Sequence, residues 1–121
     1  MITLYGINNC DTIKKTRKWL QENEIDYEFH DYKKAGCSKH LAETFLKHFD
    51  YKELINSRGT TWRKLSDSEK TSLDITSAIN LMAEQPSIIK RPLLNSRGTW
   101  FLGYNEENFK QLALNTNRFK Q

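Results

Sequence analysis

The sequence predicts an α/β fold built on a mixed four-stranded sheet, with a helical segment inserted between strands two and three. Three observations carry that expectation. The chain opens on a strand–helix–strand pattern, its middle shows helical periodicity without an obvious strand, and it closes on two short strands followed by a helix. Its 121 residues suit one domain of ordinary size. No repeat or Pro/Gly/Ser-rich linker divides it, so residues 1–121 read as a single domain with a helical subdomain at approximately 37–86.

Ile2-Thr3-Leu4-Tyr5 is a mostly apolar run stopped by Gly6 and reads as a buried strand. Ile7-Asn8-Asn9-Cys10-Asp11 is a polar loop. From Asp11 to about Glu24 the residues are good helix formers, with Ile13, Thr16 and Leu20 on one stripe and Lys14, Lys15, Arg17 and Lys18 mostly outward. Ile25 to Tyr32 alternates apolar and polar residues, the clearest strand signal in the chain. A strand–helix–strand crossover implies parallel strands joined by a right-handed connection.

Leu41, Phe45 and Phe49 recur at i, i+4 and i+8, as on a buried helix face. Ser66 and Glu69 match a capping box for a second helix. Asp74 or Thr76 can cap a third, with Ile75, Ile79 and Met82 as its buried stripe and its end before Pro86. Strand signals return at Ser87–Lys90, break at Pro92 and resume at Leu93-Leu94. Asn95–Gly98 is a turn, and Thr99–Leu102 completes a hairpin. Gly103 ends it, and Asn105 can cap a last helix through Phe109, Leu112 and Ala113.

Charge and composition narrow the function. Lys and Arg number 19 against 15 Asp and Glu, a net +4. That balance suits nucleic acid or small anions. The positive residues are scattered without a basic tail, however, which reads more simply as a solvated mixed surface. An aromatic content of 12% argues against disorder. No apolar run approaches the roughly 20 residues of a membrane span, and the start lacks the basic and apolar regions of a signal peptide. The expected location is the cytoplasm. Cys10 and Cys37 are too few for a disulfide scaffold, no Cys/His spacing suits zinc, and no metal is expected.

Thiol chemistry stays open. Cys10 lies between a buried strand and the first turn of a helix, where backbone N–H groups favour a thiolate, and Lys14 can add to that field. A small buried hydrophobe is the alternative. The residue three positions on is Ile13, so no CxxC dithiol is present. Cys37 can resolve a disulfide with Cys10 or be an incidental surface or helix-start residue. Lys90-Arg91-Pro92 follows an apolar run; its proline marks an edge, a bulge or a cis bond. Its arginine can bind an oxyanion in fork geometry or stand exposed at a strand end. Arg58, beside Gly59, is either an anion-binding loop residue or a solvated charge. His30, His40 and His48 have no ligand spacing and read as solvated or structural.

Three separated segments, Leu4–Thr12, Leu54–Leu65 and Ile88–Leu94, resemble the ArsC/Spx family, in particular its YffB branch. The likeness runs from Met1 to about Leu112. It implies a thioredoxin-like fold, with Cys10 as the thiol nucleophile and a cis Arg91–Pro92 bond facing it. It also implies Asn9, Arg58, Arg91 and Pro92 as substrate-binding residues. Arsenate reductases of the family carry a further arginine just after the last strand, where this chain has Gly103-Tyr104, and Spx regulators usually carry CxxC. The function implied is a cytoplasmic monothiol reductase of disulfide or oxyanion substrates. It binds no cofactor and takes glutathione as co-substrate, because a single nucleophile needs an external thiol to resolve its adduct. The alternative is a non-catalytic Spx-like regulator that docks on RNA polymerase. Direct binding of nucleic acid is not expected, since no helix-turn-helix or basic stripe is present.

Overall fold

The computed structural model describes residues 1–120, with side chains through Thr116. In chain order the elements are β1 (Ile2–Gly6), α1 (Asp11–Glu22), β2 (Tyr27–Asp31), α2 (Tyr32–Ala35), α3 (Lys39–Leu46), α4 (Tyr51–Leu54), α5 (Thr60–Arg63), α6 (Asp67–Thr71) and α7 (Ile75–Glu84). A 3₁₀ turn (Pro86–Ile88), β3 (Leu93–Ser96), β4 (Thr99–Leu102) and α8 (Glu106–Lys120) follow. The chain divides into two compact units, Met1–Asp31 with Arg91–Gln121, and Tyr32–Lys90.

The first unit holds the mixed sheet, in the order β2-β1-β3-β4. β1 runs parallel to β2 and antiparallel to β3, with Leu4 opposite both Phe29 and Leu94. Period-2 alternation puts Ile2, Leu4, Leu94 and Phe101 on one face. There they form a core with Ile13 and Leu20 of α1 and Phe109 and Leu112 of α8. The buried residues of α1 are the expected Ile13, Thr16 and Leu20.

Local hydrogen bonds explain where the elements depart from their expected bounds. α1 stops at Glu22 because Glu24 takes a φ of 55° and the next turn closes backwards, Ile25 N–H to Leu20 C=O at 2.9 Å and Glu24 N–H to Gln21 C=O at 3.1 Å. This is a Schellman stop, with Ile25 packed in the same core as Leu20. Ile25 is thereby withdrawn from the expected strand, and Tyr32 opens α2 at the other end. β3 extends through Ser96, since the hairpin turns on only Arg97 and Gly98, at φ 52° and 93°. Two consecutive positive φ values suit the right-handed twist of a two-residue hairpin. Asn105 accepts a hydrogen bond from the Asn108 N–H at 2.8 Å, as a cap does.

The second unit contains α2 to α7, within which α3 packs on α7. Capping boxes are present at Asp50/Glu53, Ser66/Glu69 and Asp74/Ser77, so Asp74 rather than Thr76 starts α7. The buried stripes differ from expectation. α3 ends at Leu46, before Phe49, and buries Ala42 with Phe45. α7 buries Ala78, Leu81 and Met82, while Ile75, in its first turn, is 58% exposed. The strand expected at Ser87–Lys90 is absent. Pro86 instead starts a 3₁₀ turn closed by the Ile88 N–H on Gln85 C=O and the Ile89 N–H on Pro86 C=O. Ile88 and Ile89 are buried all the same, and Ile89 makes a single antiparallel bridge with Ile55. A buried apolar run carries no periodicity that separates these alternatives. Among the described residues, no helix is long and apolar enough to cross a membrane.

One close approach sets the position of α1. A Cβ added to Gly6 would lie 2.8 Å from Ile13 Cγ1 and closer still to Ile13 Cδ1, and Ile13 is wholly buried. Gly6→Ala is expected to destabilise the protein by about 1–3 kcal/mol, the cost of overpacking a filled core. Chemical denaturation checks this, with the midpoint lowered and the slope unchanged.

Candidate active site

β1 ends at Gly6, and four residues later Cys10 stands as the N-cap of α1, with φ −149° and ψ 128°. That position puts a short polar side chain beside the unpaired N–H groups of the first turn. Cys10 is partly buried and packs against the apolar core of the first unit. The chain leaves this region, runs through Tyr32–Lys90, and returns at Arg91, just ahead of β3. Because β3 is antiparallel to β1, with Tyr5 opposite Leu93, the start of β3 and the end of β1 lie at the same end of the sheet. There the Arg91 Nε donates to the Cys10 Sγ at 3.3 Å.

Burial of Cys10 opposes ionisation. The Thr12 hydroxyl at 3.1 Å, the Ile13 N–H and the Arg91 guanidinium more than compensate and hold the thiol below its ordinary value. The Ile13 N–H acts without forming a full cap bond to the sulfur. The cation that bears on the thiol is thus Arg91, from the far end of the sequence. Lys14, the expected contributor, is exposed on α1. The expected cis bond is present at Arg91–Pro92, and the Pro92 C=O accepts from the Gly103 N–H at 2.9 Å.

The other residues read from the sequence are placed as follows. Asn9 is exposed beside Cys10, and Pro92 is buried next to Arg91. Arg58 belongs to the second unit, in the exposed loop before α5, where its backbone N–H donates to Asn56 Oδ1 at 3.2 Å. Cys37 is not the surface residue it can be taken for. It is 5% exposed, just ahead of the α3 cap Ser38, and burial pushes its thiol up to about 11. Both cysteines are free thiols. Among the described residues, no group of three His, Cys, Asp or Glu side chains could hold a metal ion.

Sequence reasoning passed over two contacts. Thr12 was legible in principle, as a hydroxyl in the first turn after the cysteine. Arg17 was expected to point mostly outward. Instead its guanidinium lies over the Phe29 ring, 4.8 Å from the centroid, and donates to Tyr27 Oη at 2.9 Å and to Asn8 Oδ1 at 3.0 Å. No pattern within α1 encodes partners on another strand.

A mixed four-stranded sheet with a thiol at the cap of its first helix, faced by the residue before a cis-proline, defines a thioredoxin-like domain with one cysteine in the site. The chain belongs to the ArsC family, whose model matches residues 5–112. It is similar to the solved structure of a YffB protein, with a TM-score of 0.86 and 40% identity, covering 92% of this chain and 97% of the other. It is also similar to an arsenate reductase-related protein from Brucella melitensis, with a TM-score of 0.76 and 44% identity, covering 91% and 92%. A third relative is the global transcriptional regulator Spx of Streptococcus pyogenes, 27% identical over 91% of this chain and 83% of the regulator.

Two thiols with opposite environments should respond oppositely to pH. Alkylation follows the thiolate, so the rate at Cys10 should rise at a lower pH than for a free cysteine, and the rate at Cys37 only at higher pH. Arg91→Met removes a donor and a positive charge from the sulfur and should move the Cys10 profile towards higher pH. Peptide-resolved mass spectrometry after timed alkylation across a pH series reads both sites at once.

Proposed function

We propose that the protein is a monothiol reductase with Cys10 as nucleophile and glutathione as co-substrate. The observation that supports this reading is the Arg91–Cys10 contact. A guanidinium bonded to a helix-capping sulfur favours the thiolate and stands ready for an anionic group carried by an incoming substrate. Membership of the ArsC family, with an arsenate reductase-related protein among its relatives, supports thiol-dependent reduction as the class of chemistry.

On a mixed disulfide of glutathione, the Cys10 thiolate attacks the glutathionyl sulfur. The new S–S bond joins Cys10 to glutathione, and the other thiol leaves as thiolate and takes a proton from solvent. A second glutathione thiolate then attacks the glutathionyl sulfur of the adduct, Cys10 leaves, and oxidised glutathione forms. Arg91 balances the charge on Cys10 before attack and again as it leaves. Arg91 would hold the anionic group, and Asn9 and Pro92 would border the substrate; Arg58 is a substrate-binding residue by the family resemblance alone. The reading places the protein in the cytoplasm, where a reactive free thiol is kept reduced.

Similarity to Spx supports a second reading, a transcriptional regulator that docks on RNA polymerase. The two readings separate in one pair of measurements. Purified protein with glutathione and a low-molecular-weight disulfide should turn over, and Cys10→Ser should abolish that activity while Cys37→Ser keeps most of it. Failure to turn over, combined with retention of polymerase on the immobilised protein, would favour the regulator. Arsenate turnover is expected to be weak or absent, since Gly103-Tyr104 stands where the family's arsenate reductases supply a further arginine, and each desolvated charge-assisted donor contributes about 1.5–3 kcal/mol. Glutathione-coupled arsenate reduction at a robust rate would refute it.

A further inference from the structure

Arg17 joins three parts of the first unit: its own helix α1, the strand β2 and the loop that carries Cys10. It sits two turns along α1 from the cysteine. Tyr27 and Phe29 alternate onto the same face of β2, and Arg17 spans both, Nε on the Tyr27 hydroxyl and the guanidinium over the Phe29 ring. A guanidinium anchored in this way has little freedom left to lose, so its remaining donors act as preorganised arms. One of them, Nη1, holds Asn8 Oδ1 at 3.0 Å.

That bond is the one side-chain hydrogen bond made by Ile7, Asn8 or Asn9 among the described residues. Asn8 and Asn9 are exposed, and the segment from Gly6 to the helix cap is only four residues long. Asn8 lies two residues from Cys10, so their Cα atoms are at most about 7 Å apart. A shift at Asn8 therefore reaches the cap with little slack to absorb it. The sulfur contacts at stake, Arg91 at 3.3 Å and Thr12 at 3.1 Å, are directional and weaken with small displacements.

We propose that Arg17 is a positioning residue for Cys10: through Asn8 it ties the Cys10 loop to β2 and so keeps the sulfur in reach of Arg91 and Thr12. The inference rests on the reading of Cys10 as the reactive thiol. An Arg17 that merely stapled α1 to β2 would serve stability alone, and its bond to Asn8 would be dispensable.

The test measures the rate of Cys10 alkylation by iodoacetamide against pH, with peptide-resolved mass spectrometry. It covers the wild type, Asn8→Ala, Arg17→Met, the double variant and Lys18→Met, alongside thermal melting. Asn8→Ala alters an exposed loop side chain and should fold normally. Each single variant should lower the neutral-pH rate about three- to tenfold, the scale of one ordinary hydrogen bond, since the contacts to sulfur are loosened and not lost, and move the profile to higher pH. The double variant should match the worse single variant, because both changes break the same link. Lys18→Met, which removes a cation from the same helix, should behave as wild type. A lowered melting temperature for Arg17→Met with an unshifted alkylation profile would overturn the proposal, as would a wild-type profile for Asn8→Ala or effects that add in the double variant. A wild-type Cys10 that titrates like a free cysteine would instead overturn the functional reading itself, and the role of Arg17 with it.

Discussion

The antiparallel pairing of β1 with β3 is the constraint on which the site depends. β1 delivers the Cys10 loop at its end and β3 receives Arg91 at its start, and only opposite strand directions bring those two ends together. A one-residue slip in that register would turn Leu4 and Leu94 out of the core and exchange the faces of the strand. The apolar core therefore enforces the register, and the register enforces the sulfur–guanidinium contact. Gly6 completes the arrangement. Without a side chain there, Ile13 lies directly on the strand end, and the first turn of α1 is set at a fixed height above the sheet.

The two cysteines show what the surroundings contribute beyond residue type. Burial acts in the same direction on both, against the thiolate. At Cys37 nothing offsets it, and the thiol is driven up. Its nearest polar partner is the Ser38 C=O, an acceptor, at 3.7 Å, which can only favour the protonated form. At Cys10 the Thr12 hydroxyl, the Ile13 N–H and the Arg91 guanidinium can all donate to sulfur, and their sum wins. Partial burial strengthens each of those interactions relative to open water. On the proposed reading, the intermediate exposure of Cys10 would serve both needs, a field strong enough to hold the charge and an opening through which a substrate sulfur can approach.

The parts of the fold governed by near neighbours along the chain are legible in the amino-acid sequence. The stripe Ile13–Thr16–Leu20, the capping box at Ser66 and the cap at Asn105 all depend on spacings of three or four residues. The last strand is legible for a similar reason, a short apolar run bounded by glycines. What is not legible depends on competition between local bonds. Ile25 carries a strand-like pattern, yet its N–H is taken by the carbonyl of Leu20. Ile88 and Ile89 are as apolar as any strand, yet Pro86 opens a turn there. In the site, the cysteine and the arginine are each visible as chemistry. Their meeting across 81 residues is visible only through resemblance, since no local spacing records a strand pairing. Arg17 gives no signal at all, because a basic residue on a helix is more often solvated.

The position three residues beyond Cys10 decides what kind of thiol chemistry the fold can complete. A dithiol site would place its second sulfur there, at the end of the first helical turn. Here that position is Ile13, wholly buried and pressed against Gly6, so it is part of the core that holds α1 on the sheet. The position that a second thiol would take is thus filled by a core side chain. Cys37 is poorly suited to the task, because a thiol pushed up to about 11 is almost wholly protonated at neutral pH and thiolate is the attacking species. On the proposed reductase reading, an adduct formed at Cys10 would be left for a thiol that arrives from solution.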